Sequence, residues 1–194
     1  VTTGYLLSQA LNFWRSTTSQ CRGALLWWLN DLVVGAGWGL ITSEGDLKPA
    51  GYILKPHLQP VNISLIDENL NGHIISWQNE TPEAINADIA IYCIKTQRGH
   101  VESFSYQFTM SAHSEGTKSV NEIVGHFRDT TNAYLFSAEP WDAIGVSLST
   151  NDLSMTHVHF PNSLDLPQIN LPDSIDVSAS YVSSNTGITI TIQS

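Results

Sequence analysis

The chain has 194 residues, 42% hydrophobic and 13% charged, with six each of Trp, Tyr and Phe. That is apolar enough for a packed core in one large or two small domains, and it excludes a disordered chain. Eight Lys and Arg against 18 Asp and Glu leave a net charge of −10, the wrong sign for a phosphate-binding surface, so no nucleic-acid partner is expected.

Leu7, Ala10, Leu11 and Trp14 recur at helical spacing and predict an amphipathic helix over Gly4–Arg15. Gly23-Ala24-Leu25-Leu26-Trp27-Trp28-Leu29-Asn30-Asp31 is apolar without alternation until its end, the pattern of a strand buried on both faces. Its apolar part, around Ala24–Leu29, is far shorter than the roughly 18 residues a membrane helix needs. No basic, apolar leader opens the sequence either, so a soluble chain without a membrane partner is expected. Gly35-Ala36-Gly37-Trp38-Gly39 reads as a loop. Leu47–Leu58 suits a second helix that tolerates Pro49 in its first turn. Helix, buried strand, loop and helix together form a fragment of an α/β pattern.

From Pro60 the period changes to two. Strands are expected at Asn62–Ile66, His73–Gln78, Asp88–Lys95, Val101–Met110, Val120–Phe127, Asn132–Ala138, Ala143–Ser149 and Met155–Phe160. Breaks at Asn69–Gly72, Gln97–Gly99 and Ser114–Thr117 have the spacing of an antiparallel immunoglobulin-like sandwich. Phe104, Tyr106, Phe108 and Met110 alternate with small or polar residues and define a core face rather than a carbohydrate platform. Asp165–Pro172 reads as a linker, and two alternating runs around Ser183–Gly187 read as a hairpin, too little to stand alone.

Cys21 and Cys93 are too few for a disulfide framework or a multi-cysteine zinc site, and both are expected to be free, buried thiols. A reducing, cytoplasmic setting follows as the expectation. Asn62-Ile63-Ser64 and Asn79-Glu80-Thr81 fit the glycosylation pattern, at the frequency that chance supplies. His157 and His159 face one way on a predicted strand, as metal ligands could. No third ligand has a recognisable spacing, although His113 or His126 could approach in space, so neither a metal nor a cofactor is expected.

The Gly23–Asp31 stretch resembles the last barrel strand of family 2 glycoside hydrolases, above all the beta-mannosidase branch, where G-A-L-Y-W-Q-L-N-D is typical. Gly23, Ala24, Leu25, Trp27, Leu29, Asn30 and Asp31 match; Leu26 and Trp28 replace Tyr and Gln. Tyr5–Leu11 with Trp14-Arg15 resembles the preceding helix, and Trp38 with Lys48-Pro49-Ala50-Gly51-Tyr52 resembles the segment of the last helix. Pro60-Val61, Asp67-Glu68 and Asn71-Gly72 are similar to the entry of the sandwich that follows.

The resemblance implies a mainly β chain in which an immunoglobulin-like sandwich follows the last strand and helices of a truncated (β/α)8 barrel. Residues 1–58 would be the barrel remnant, 59–165 the sandwich, and 166–194 the linker and hairpin of an incomplete β module. A complete barrel takes about 250 residues. The two catalytic glutamates of such retaining enzymes, about 5 Å apart, would lie before Val1. The chain would then be a non-catalytic scaffold whose longer parent takes a carbohydrate substrate. By the same resemblance Trp27 would line the sugar subsite; Trp38 on the Gly-rich loop is a candidate substrate contact or packs the loop, and Asn30, with Asp31, is a candidate for a sugar hydroxyl or caps the strand end. Trp28, on the other face of a regular strand, would pack under the outer helices. A strand bared at both edges would also template self-association through residues 23–29. A carbohydrate-binding or oligomerisation module without hydrolysis is the alternative.

Overall fold

Alternation of side chains governs the larger part of the computed structural model, which describes residues 2–21, 23–95, 100–134, 141–161, 178–184 and 187–193. Seven strands form a sandwich: β1 (Val61–Asp67), β2 (His73–Asn79), β3 (Ile85–Lys95), β4 (His100–Met110), β5 (Ser114–Ser119), β6 (Ala143–Ser149) and β7 (Ser154–His159). One sheet has the order β1-β2-β5 and the other β4-β3-β6-β7, with every pair antiparallel. Inward residues at period two, Ile63, Leu65 and Ile75 from one sheet and Ile89, Ile91, Val146 and Leu148 from the other, fill the space between them. Phe104, Tyr106 and Phe108 are half-buried on the inner face of edge strand β4, where the Lys118 ammonium of β5 lies 5.1 Å over the Tyr106 ring. Phe108 meets Trp77 edge-on at 4.8 Å between centroids, and Met110 is fully buried. These rings are core.

Two helices precede the sandwich, α1 (Thr2–Arg15) and α2 (Pro49–His57, with Pro49 in its first turn). The buried stripe of α1 runs through Gly4, Ser8 and Leu11 and leaves the predicted Trp14 exposed. A Cβ on Gly4 would lie 2.9 Å from the Ala50 Cα, so glycine lets the helices touch. Leu11, Leu40 and Leu54 form a second, small core there.

Several expectations are corrected. Val120–Phe127 is no strand, because Val120–Val124 forms a short helix, α3, started by Ser119 and Glu122 and ended by Gly125 at φ 83°. Ser114–Thr117 is no break but most of β5, and it lacks apolar alternation because its neighbour supplies the apolar cover. Gly116 sits opposite Trp77, and a Cβ there would come within 2.5 Å of the indole. Asn132–Tyr134 is irregular, and residues 135–138 lie outside the described residues. So does the expected linker at 165–172. The C-terminal runs do pair as a hairpin of β8 (Ser178–Ser184) and β9 (Gly187–Gln193).

The largest correction concerns Gly23–Asp31, which forms no strand. A barrel strand pairs with neighbours on both sides, whereas here, among the described residues, the segment pairs only at its end: Leu29 O accepts from Leu40 and Ile41 N–H, at 2.8 and 3.0 Å, and Asp31 N–H donates to Ile41 O at 2.9 Å. Leu25 is wholly exposed and Leu29 58% exposed. Cys21 is likewise exposed, against expectation, while Cys93 is buried; both are free. Burial pushes the Cys93 thiol up to about 11 and leaves it un-ionised at neutral pH. Asn62 and Asn79, the sequon residues, are buried in β1 and β2. No described helix is long and apolar enough to cross a membrane.

Candidate functional site

Asp31 organises the segment that carries the predicted sugar contacts. It is buried, pairs with the Lys48 ammonium, and accepts the Gly39 N–H at 2.8 Å. Lys48 also donates to Gly37 O at 3.0 Å. The Lys48 hydrogen bond, followed by that from Gly39, holds the Asp31 carboxyl below the usual carboxylate range against its own desolvation. Glycine is obligatory around this carboxylate: a Cβ on Gly37 would lie 2.2 Å from Asp31 Oδ1, and one on Gly39 2.7 Å from Asp31 N. Asn30 is exposed, bridges to Ile41, and donates from Nδ2 to Asp31 O at 3.3 Å.

Around this anchor the chain displays its aromatics. Trp27 is 77% exposed and Trp38 79% exposed. Trp28 lines a shallow groove of about 370 Å³ with Leu32, Val33 and Gly37 and does not pack under the helices. The loop, not a helix, is what faces it once the strand is absent. The Trp27 and Trp28 rings lie 6.2 Å apart; among the described residues no ring contact joins Trp27 to Trp38. The arrangement offers flat, exposed apolar faces at Trp27 and Trp38 and an exposed amide at Asn30. The nearby Asp31 carboxylate is itself engaged by Lys48 and Gly39.

A second cluster was missed by sequence reasoning. His157 and His159 do share a face of β7 but part company. His157 stacks on His57 of α2, centroids 4.1 Å apart, whereas His159 meets His73 edge-on at 4.9 Å. Asp67, His73 and His159 each offer a ligand atom, all within 4.8 Å of one another. Asp67 and His73 are partners across the β1–β2 register, a pairing their sequence spacing over a short turn could have suggested. His113 and His126 do not join them: His113 occupies a turn at φ 46°, and His126 lies against Phe104.

No protein-family model and no curated protein sequence matches this chain. Solved structures do. A β-D-mannosidase from Dictyoglomus thermophilum superposes at a TM-score of 0.63 with 17% identity, over 97% of this chain and 22% of its own. The exo-chitosanase of Amycolatopsis orientalis gives 0.59 with 15% identity, over 98% of this chain and 25% of its own. The chain therefore has the fold of a part of these glycoside hydrolases, mainly β with antiparallel sheets. It spans about a quarter or less of their length.

Proposed function

We propose that this chain is a non-catalytic, C-terminal portion of a beta-mannosidase-like retaining glycoside hydrolase of family 2. The observation that carries the reading is a fold likeness extending over 97% of the chain, helices and Gly-rich loop included, while using 22% of a β-mannosidase. In this reading residues 1–58 are the end of the barrel, 59–165 are the sandwich that supports it, and 166–194 begin a further β module. The largely exposed segment 23–38 meets the rest of the barrel, which supplies strand partners for Gly23–Trp28. Trp27 packs on the pyranose face, and Trp38 and Asn30 line the same subsite of a carbohydrate substrate. Their exposure supports that role, as does the Asp31–Lys48 anchor that fixes the loop between them. The half-buried, inward rings of β4 speak against a sandwich that grips polysaccharide by itself.

The test compares this 194-residue chain with a longer polypeptide that includes it, on p-nitrophenyl β-mannoside and β-glucosaminide. Hydrolysis is expected from the longer protein alone, with Trp27→Ala lowering its kcat/KM at least about tenfold, near 1.4 kcal/mol of transition-state binding. Turnover by the short chain that disappears on mutating one of its own carboxylates would overturn the proposal. So would a longer protein inert on every aryl glycoside.

A further inference from the structure

Three donor atoms converge at one end of the sandwich, away from the tryptophan loop. Asp67 closes β1 and His73 opens β2, directly opposite each other on the inner face that carries Leu65 and Ile75. His159 closes β7 in the other sheet, two residues beyond His157 and four beyond the core residue Met155. The site is thus assembled from both sheets.

Asp67 and His73 are each held so that one atom stays available, while His159 Nδ1 is buried without a hydrogen-bond partner among the described residues. Asp67 Oδ1 accepts the Asn69 N–H at 2.7 Å, while Oδ2 lies 3.6 Å from His159 Nε2. His73 Nδ1 is 2.9 Å from the hydroxyl of Thr130, itself fully buried. With Nδ1–H donating to that hydroxyl, the lone pair of His73 sits on Nε2. That atom is buried, on a side chain 1% exposed, and has no hydrogen-bond partner among the described residues. The Thr130 contact is the outer-shell bond that fixes tautomer and ring angle in metal-binding histidines. The loop bearing Thr130 is itself tied to the β1–β2 turn by Thr131 Oγ1 to Asn69 O at 2.8 Å and Tyr134 Oη to Leu70 O at 2.9 Å.

An ordinary ion pair does not account for this cluster. At 3.6 Å the Asp67–His159 contact is too long for a hydrogen bond. A buried ring nitrogen left without a partner is costly, so something should meet it.

We propose that Asp67, His73 and His159 form a binding site for a divalent first-row transition ion of the zinc type, which ties the two sheets together at this end of the sandwich. Two imidazole nitrogens and one carboxylate oxygen are borderline donors, wrong for the all-oxygen shells of calcium or magnesium. Ligand atoms about 2.1 Å from a tetrahedral zinc lie about 3.4 Å from one another, close to the Asp67–His159 separation. The widest separation, 4.8 Å, closes by rotation of side chains at the rim, where Asp67 is exposed. The same exposure lets solvent water complete the coordination. This site is independent of the glycosidase reading.

The test strips the intact 194-residue chain with chelator, then titrates Co²⁺ by its visible d–d absorption and Zn²⁺ by calorimetry. One ion per chain is expected, raising Tm by about 5–10 °C at a hundredfold excess over Kd. Asp67→Asn and His159→Gln, both at the rim, should each weaken binding at least about tenfold while the circular dichroism of the chain is kept. A control combining Cys21→Ser, His113→Gln and His126→Gln, all remote from the cluster, should bind as the parent does. Absence of saturable binding, survival of binding in both ligand variants, or its loss in the control would each overturn the proposal.

Discussion

His57 shows how burial sets a pH dependence. It is 7% exposed at the end of α2, with Nδ1 2.8 Å from Asn12 Oδ1 and its ring stacked on His157. Burial, aided by the Arg15 charge, pushes its pKa down from 6.5 to about 4. The unfolded chain therefore takes up a proton there that the folded chain refuses. Stability from this residue is full above about pH 6.5 and is lost as pH falls toward about 4. The urea midpoint of the intact chain should fall over that window, and His57→Gln should flatten the fall by up to one proton. An unchanged slope in the variant would remove His57 from the linkage. At Asp31 the sign is the same: a carboxyl held low favours the folded state above its unfolded pKa, and acid removes that contribution.

Among the elements, α3 gives the sharpest case of local signals against periodicity. Val120, Ile123 and Val124 contribute to the sandwich core or pack on its rim, and within a region of strands that apolar content reads as another strand. Ser119 decides otherwise. Its side chain accepts the Glu122 N–H at 3.1 Å, and Glu122 Oε2 accepts the Ser119 N–H at 2.9 Å, a reciprocal cap that starts a helix. Ser119→Ala should cost about 1 kcal/mol, read as a lower urea midpoint at constant m-value. A variant as stable as the parent would assign the helix to packing of Val120 alone.

For the whole molecule the joint between helices and sandwich is polar. Arg15 donates to His57 O, to Gln59 O at 3.1 Å and to Glu80 Oε1 at 2.8 Å, and Gln78 Nε2 donates to Arg15 O at 3.1 Å. A cleft of about 530 Å³ runs beside this seam, lined by Leu11, Gly23, Ala24, Leu58 and His113. Next to it Leu25, Trp27, Leu29, Leu32, Val33 and Val34 stand 58–100% exposed, an apolar surface of the kind that drives association. The isolated chain should therefore self-associate through residues 23–29. Sedimentation over a wide concentration range, beside a Leu25→Ser/Trp27→Ser/Leu29→Ser variant, checks it. A parent that stays monomeric throughout would end the idea.

The sequence by itself determined the elements whose side chains repeat at a fixed period, because periodicity is local. Alternation along Ile89, Ile91 and Cys93 marks β3, Pro49 marks the first turn of α2, and the β8–β9 hairpin follows from two alternating runs. Trp27, Trp38 and Asn30 were visible as candidates through a motif, and the structure exposes all three without assigning them a ligand. Tertiary structure decided what depends on a neighbour. Gly23–Asp31 has the composition of a strand, yet a strand exists only through its partners, and none flanks Gly23–Trp28 among the described residues. β5 has the composition of a loop and becomes a strand because it pairs along β2, where Trp77 covers Gly116. The Asp67–His73–His159 cluster joins residues from two sheets, and only the packing of those sheets brings His159 to the turn between β1 and β2.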